Sequence, residues 1–223
     1  MYASPGSLTV SDAGLIGFDD NGNGPALVYN SATGQFVETG LAANNGHRQT
    51  RLSGHGLFLA TTCNDSNCVD DLDIGADPYV QDLSTKLDTA FPAEALVDKE
   101  HPCIDADGSL VGLDKRASLL DMEKDIFLFD RSVSPAQPVD VPGLNTALKR
   151  DEFCVIDAAG EFIGFYFDNT AFRVYQRPSQ TFLALPTDKE FDNTSLFSAP
   201  YPPPAPAATT GRGWQPHSSA PAR

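Results

Sequence analysis

Positive charge is scarce in this 223-residue chain, which sets 15 lysines and arginines against 30 aspartates and glutamates for a formal net charge of −15. The few basic residues do not cluster, so a nucleic-acid backbone or an anionic membrane is repelled over most of the surface. No apolar run approaches the roughly 18 residues of a membrane helix. The opening residues MYASPGSLTV lack the charged and apolar regions of a signal peptide, although a trimmed mature chain with an added Met would read the same. Charged residues make up only 20%, while 18 glycines and 17 prolines punctuate the chain, which excludes coiled coil, collagen and wholesale disorder. Nucleophile and phosphate signatures (GxSxG, HExxH, CxxC, GxxxxGK[ST]) are missing. Helical periodicity is thin as well. Segment 87–100 is interrupted by Pro92 and segment 117–125 lies between strand signals, so a short helical turn is the most either supports.

What the chain does have is an internal repeat. VSDAGLIGF (10–18), LSGHGLFLA (52–60), IDADGSLVG (104–112) and IDAAGEFIG (156–164) share an apolar residue, Ser or Asp, two small or polar residues, Gly, and an apolar run. Their glycines, Gly14, Gly56, Gly108 and Gly160, are 42, 52 and 52 residues apart. A second segment follows each: LVYNSATG (27–34), YVQDLSTK (79–86), FLFDRSVS (127–134) and RVYQRPSQ (173–180). Each copy reads as an antiparallel meander of strand, Gly turn, strand, loop, strand and polar turn. Gly supplies the positive φ of the tight turn without a steric cost. Asn30, Asp82 and Asp130 share one repeat phase just after the third strand, and we read them as turn formers whose side chains bond the backbone two residues on.

One such sheet cannot cover both of its faces, so copies stacked around an axis bury them. The expected fold is therefore an all-β propeller with four visible blade repeats, at about 8–46, 47–98, 99–149 and 150–199. The ring would be four- or five-bladed, or the chain part of a larger propeller. Residues 200–223 hold seven prolines, no acid and only Trp214 as a large apolar anchor, and read as a disordered or polyproline-like tail.

The stretch GLFLATTCNDSNCVDDLDIGADPYVQDLSTK (56–86) resembles the TolB-like propeller repeats of bacterial exported proteins, and EKDIFLFD (123–130) is a looser match. In the first and fourth copies Ala26 and Phe172 stand near the place of the strand-opening Asp. The resemblance covers about residues 8–198 and implies blade geometry, not an active site; members commonly have six or seven blades. It also implies an extracytoplasmic location, periplasmic or secreted.

Several residues could carry chemistry on such a scaffold. The loop FDDNGNG (18–24) opens like a calcium loop, with Asp19, Asn21 and Asn23 offering alternate side-chain oxygens, but its twelfth position is Asn30 and cannot give the bidentate carboxylate. No cofactor is expected beyond a weak calcium ion at these three residues, and a polar hairpin turn is the favoured reading. Asp65, Asp70, Asp71, Asp73 and Asp77 form a solvated acidic loop. Cys63 and Cys68 bracket NDSN between strands, where a hairpin-like path could bring their Cα atoms within about 6 Å, so a disulfide is open to them in an oxidising compartment. Cys103 and Cys154 fall two and three residues before the phase-matched Asp105 and Asp157. Strand parity points them to opposite faces and favours two buried thiols, unless the copies are shifted by a residue, when they could meet across neighbouring blades.

His55 occupies a turn and His217 the tail. His47, Arg48, Arg51, His101, Lys99 and Arg150 lie at or just before the opening strand of a copy, the phase whose ends line an axial channel. His47, Arg48, Arg51 and His101 are accordingly the candidate ligand-binding residues, although a solvated charge that balances nearby acids is the default for each. The leading functional expectation is a non-catalytic propeller module that presents its faces to a protein, a carbohydrate or a small ligand. One alternative is a polysaccharide lyase or hydrolase with His47, Arg51, His101 and Asp151 over the channel mouth. Another is a structural piece of a secreted multidomain protein, with the proline-rich tail as linker.

Overall fold

The structure, a computed structural model, describes residues 7–19, 24–39, 41, 46–63, 77–89, 91, 99–116, 123–145, 150–167 and 171–185. These residues form four antiparallel sheets and, among the described residues, no helix. Blade 1 consists of β1 (Ser7–Val10), β2 (Leu15–Asp19), β3 (Leu27–Asn30) and β4 (Gln35–Val37). Blade 2 consists of β5 (His47–Leu52), β6 (Phe58–Cys63) and β7 (Asp77–Asp82), with an isolated bridge between Gln81 and Asp88 beside it. Blade 3 holds β8 (Lys99–Ile104), β9 (Leu110–Arg116), β10 (Lys124–Asp130) and β11 (Gln137–Val139). Blade 4 holds β12 (Asp151–Ile156), β13 (Phe162–Phe167), β14 (Ala171–Gln176) and β15 (Thr181–Phe182). Each is a simple meander in chain order, and the first strands β1, β5, β8 and β12 contact one another in succession. The all-β propeller reading with four visible blade repeats is therefore the fold observed, with four blades among the described residues.

The repeat signals form the blades for the reasons their chemistry suggests. Gly14, Gly56, Gly108 and Gly160 all sit at positive φ (72°, 71°, 78° and 68°), where a side chain would be strained. Ahead of each glycine, a Ser or Asp closes the turn. The Ser11 hydroxyl accepts from the Leu15 N–H at 3.2 Å, that of Ser53 from the Phe58 N–H at 3.1 Å, and Asp157 from the Phe162 N–H at 2.8 Å. Asn30, Asp82 and Asp130 act as the expected turn formers. Their Oδ1 atoms accept from the N–H groups of Ala32 (2.9 Å), Ser84 (2.7 Å) and Ser132 (2.8 Å).

Side-chain alternation gives each blade a front face toward the next blade and a rear face toward the preceding one. Ala26 and Val28 of blade 1 pack with Leu52, Leu59 and Leu83 of blade 2. Ala60 and Val80 on the front of blade 2 meet Ile104 and Val111 on the rear of blade 3. Leu110, Ile126 and Leu128 on the front of blade 3 meet Ile163, Phe165 and Tyr175 on the rear of blade 4. Backbone bonds between the glycine turns repeat the same step: Asp12 N–H to Gly54 O at 2.8 Å, His55 N–H to Ala106 O at 2.9 Å, and Ala106 N–H to Ala158 O at 3.3 Å.

One cysteine expectation is overturned. Cys103 and Cys154 are not two thiols; they form a disulfide joining blades 3 and 4, with Cα atoms 5.7 Å apart. The parity argument placed them on opposite faces of their own sheets, which is correct, but the front of one blade packs on the rear of the next. Opposite faces are therefore the ones that meet. Gly112 makes room, because a Cβ there would lie 2.6 Å from the Cys103 sulfur and 3.1 Å from that of Cys154. Cys63 is also disulfide-bonded; Cys68 lies outside the described residues, as do the centres of the two weakly helical segments and the tail. Lys99, Glu100, Lys124 and Asp125, at the ends of those segments, belong to strands. No helix of the described residues is long and apolar enough to cross a membrane.

Candidate functional site at the inner strands

The inner strands of blades 2, 3 and 4 share a bulge that the sequence did not announce. Gln49, His101 and Phe153 take positive φ (59°, 48° and 56°) where the register of β5, β8 and β12 slips against the second strand of each blade. They are 52 residues apart. A bulge frees a backbone N–H from the ladder, and a side chain of the preceding blade takes it up. Gln49 Oε1 accepts from the His101 N–H at 2.8 Å, and Asp114 Oδ2 from the Phe153 N–H at 3.2 Å. Asp19 Oδ2 does the same one blade earlier, accepting from the Thr50 N–H at 2.8 Å.

A chain of charges, buried at Lys124, Asp114 and Glu152 and more open at its Arg48 and Arg150 ends, runs along these bulges. Arg48 of blade 2 pairs with Glu100 of blade 3, which also holds the Lys124 ammonium. Lys124 stands 3.3 Å from Asp114 and 3.5 Å from Glu152 of blade 4, and Glu152 is 2.6 Å from Arg150. The His101 ring lies against the Phe153 ring at 3.9 Å, with its Nδ1 2.6 Å from Asp114. Burial alone would raise the Glu100 carboxyl and lower the Lys124 ammonium. The pairing wins in both cases, so Glu100 ends below the usual carboxylate range and Lys124 above the usual lysine range. A general acid or base needs shifts in the opposite direction, toward neutrality. Glu100, His101 and Asp114 also bring one donor atom each within 4.8 Å of one another, the spacing of a metal site, but Lys124 already supplies the cation at Glu100 and Asp114.

The candidates read from sequence thus have separate fates. Arg48 and His101 are engaged in the charge chain. His47 is fully buried, its ring 6.2 Å from that of Tyr79 and neither ring nitrogen hydrogen-bonded. Burial drives its pKa down from 6.5 to about 4, against the opposing pull of Asp19. Arg51 donates to Thr50 O at 2.9 Å, and burial lowers its pKa as well, again against Asp19. Asp151 is fully buried on β12. Asp19 is buried, bonded to Ser7 and Thr50, and so ties blade 1 to blade 2; Asn21 and Asn23 lie outside the described residues. Of the acidic loop, Asp77 pairs with Lys99 at 2.7 Å and the other four aspartates lie outside the described residues. Sequence reasoning missed Gln49, Asp114, Lys124 and Glu152. One signal was present: Arg48, Glu100 and Glu152 share a repeat phase with 52-residue spacing.

A cavity of about 340 Å³ opens beside this chain of charges, bounded by Thr9, Arg51, Leu52, Ile104, Val155 and Val174 among others. Arg51 is the one ligand-binding candidate on its wall.

No protein-family profile matches the sequence, and no curated protein is found similar to it. Solved structures are similar in fold. A complex of KlAtg21 with the coiled coil of AgAtg16 aligns over 84% of this chain and 58% of that one, with TM-score 0.59 and 11% identity. Hydrazine synthase of Kuenenia stuttgartiensis aligns over 78% and 53%, with TM-score 0.54 and 10% identity. A putative TolB of Agrobacterium tumefaciens aligns over 79% and 59%, with TM-score 0.52 and 15% identity. At these identities the likeness shows a propeller-like fold. The chain spans between 53% and 59% of the length of these structures.

Proposed function

We propose that the chain is a non-catalytic propeller module that binds a protein or carbohydrate ligand around its axial cavity. The observation that carries this reading is the mutual pairing of the charges around the inner-strand bulges. Arg48, Glu100, Lys124, Asp114, Glu152 and Arg150 pair with one another from blade to blade, which makes them a frame, and the surface offered to a ligand is the cavity wall at Thr9, Leu52 and Ile104. A pocket of this volume with a largely apolar wall suits a ligand with an apolar or ring surface. The disulfides at Cys103–Cys154 and Cys63 favour an oxidising, extracytoplasmic setting.

The test separates this reading from a lyase or hydrolase. The oxidised chain is incubated with a panel of neutral and uronic polysaccharides and of peptides, following both thermal shift and the release of new reducing or unsaturated ends. A binding module gives a thermal shift that Arg51→Gln weakens and no turnover. Product release that His101→Ala abolishes would assign the chain to the enzyme class.

A further inference from the structure

The rear face of blade 1 is an apolar sheet surface that no other described residue covers. The registers Leu8↔Phe18↔Leu27 and Val10↔Ile16↔Tyr29↔Phe36 place all seven of these side chains on one side of the sheet. Leu8, Val10 and Phe36 are 58%, 65% and 62% exposed. Phe36 packs edge-on against Phe18 and Tyr29, so the patch is built and contiguous, and none of its seven paired side chains is charged. In blades 2, 3 and 4 the equivalent rear face is buried against the front of the blade before it. At the other end, the front face of blade 4 presents Val155, Phe162 and Val174, half-buried and bordering the cavity. Its counterpart in blade 3, with Cys103, Leu110 and Leu128, is the surface on which blade 4 is seated.

We propose that a second copy of this chain closes the ring, the rear of blade 1 in each copy seating on the front of blade 4 in the other about a two-fold axis. The junction continues an interface this chain already makes three times: front on rear, apolar on apolar, with a backbone bond between glycine turns. In that series the N–H of Ala158 is the next donor and the carbonyl of Asp12 the next acceptor. One two-fold operation covers all four end faces together and leaves none over. Two copies make an eight-bladed ring, within the range of about four to eight blades that propellers adopt. The side chains paired across the rear of blade 1 and those of Val155, Phe162 and Val174 are uncharged, so the association persists at high salt.

Sedimentation velocity and light scattering on the full, oxidised chain test this. The expected result is a species of twice the 23.8 kDa chain mass. Val10→Glu and Val174→Glu each put an unpaired carboxylate into both junctions, so each is expected to weaken association by roughly 100-fold or more while keeping the wild-type circular dichroism spectrum. Mixing the two variants restores one intact junction, so a heterodimer reappears. This complementation marks a front-on-rear contact. A wild-type dimer indifferent to Val174→Glu would mean that two blade 1 faces meet each other and would overturn the arrangement. A wild-type monomer would overturn it too. If removing residues 186–223 then raises hydrogen exchange at β1 and β4, that segment covers the face; if it does not, the face is left to other blades.

Discussion

Replacing His47 by phenylalanine removes a titration that the fold itself has displaced, and the size of the displacement sets the expected effect. His47 is fully buried with both ring nitrogens unbonded, and burial holds its pKa at about 4 instead of 6.5. At roughly 1.4 kcal/mol per pKa unit the difference is about 3 kcal/mol, a large share of a typical folding free energy of about 5–15 kcal/mol. In the unfolded chain His47 takes up its proton near pH 6.5, whereas in the folded protein it does so only near pH 4. The unfolded state therefore binds more protons throughout that window, and stability falls as pH drops through it. Above pH 6.5 the contribution is fully present, and below pH 4 this group has no further effect. Phenylalanine keeps a planar ring against Tyr79 and cannot titrate. Urea unfolding followed by circular dichroism at a series of pH values should show the variant near wild type at pH 7.5. The two curves then diverge until the wild type has lost about 3 kcal/mol more by pH 4. Other titrating groups act on both proteins and cancel in the difference. Parallel pH dependences, or an imidazole resonance of His47 that titrates near 6.5, would refute the reasoning.

Lys124→Met should destabilise the chain by about 3–5 kcal/mol, because it leaves Glu100, Asp114 and Glu152 buried without their common cation. Adding Glu100→Gln should recover part of the loss in a double-mutant cycle; a change under about 1 kcal/mol would show that water already screens these charges. Cys154→Ser opens a cross-link spanning a sequence separation of 51. On the loop-closure relation this costs about 4 kcal/mol, read as a clear drop in the denaturation midpoint under non-reducing conditions. An unchanged midpoint would mean that the unfolded chain is held compact by something else.

The blade was legible in the sequence because its signals are local. Gly at 14, 56, 108 and 160, the Ser or Asp before it, and the Asx residues at 30, 82 and 130 each determine a turn through bonds to backbone a few residues away, and recurrence multiplies that signal. The strand pattern between the turns follows from alternation. What only the tertiary structure decided is how blades face each other, a relation between residues about 50 positions apart. Cys103 and Cys154 show this most clearly: their opposite parity within a sheet becomes proximity once front packs on rear, in space left by Gly112. The candidate site has the same origin. Bulges at Gln49, His101 and Phe153 turn each inner strand, and the N–H groups of His101 and Phe153 find acceptors on the preceding blade. Arg48, His101 and their partners are thereby fixed to one another. Positions in a sequence indicate which groups are charged. Which charges end within 4 Å of an opposite one, away from water, depends on the packing of separate sheets, and that packing determines whether a residue is free to meet a ligand.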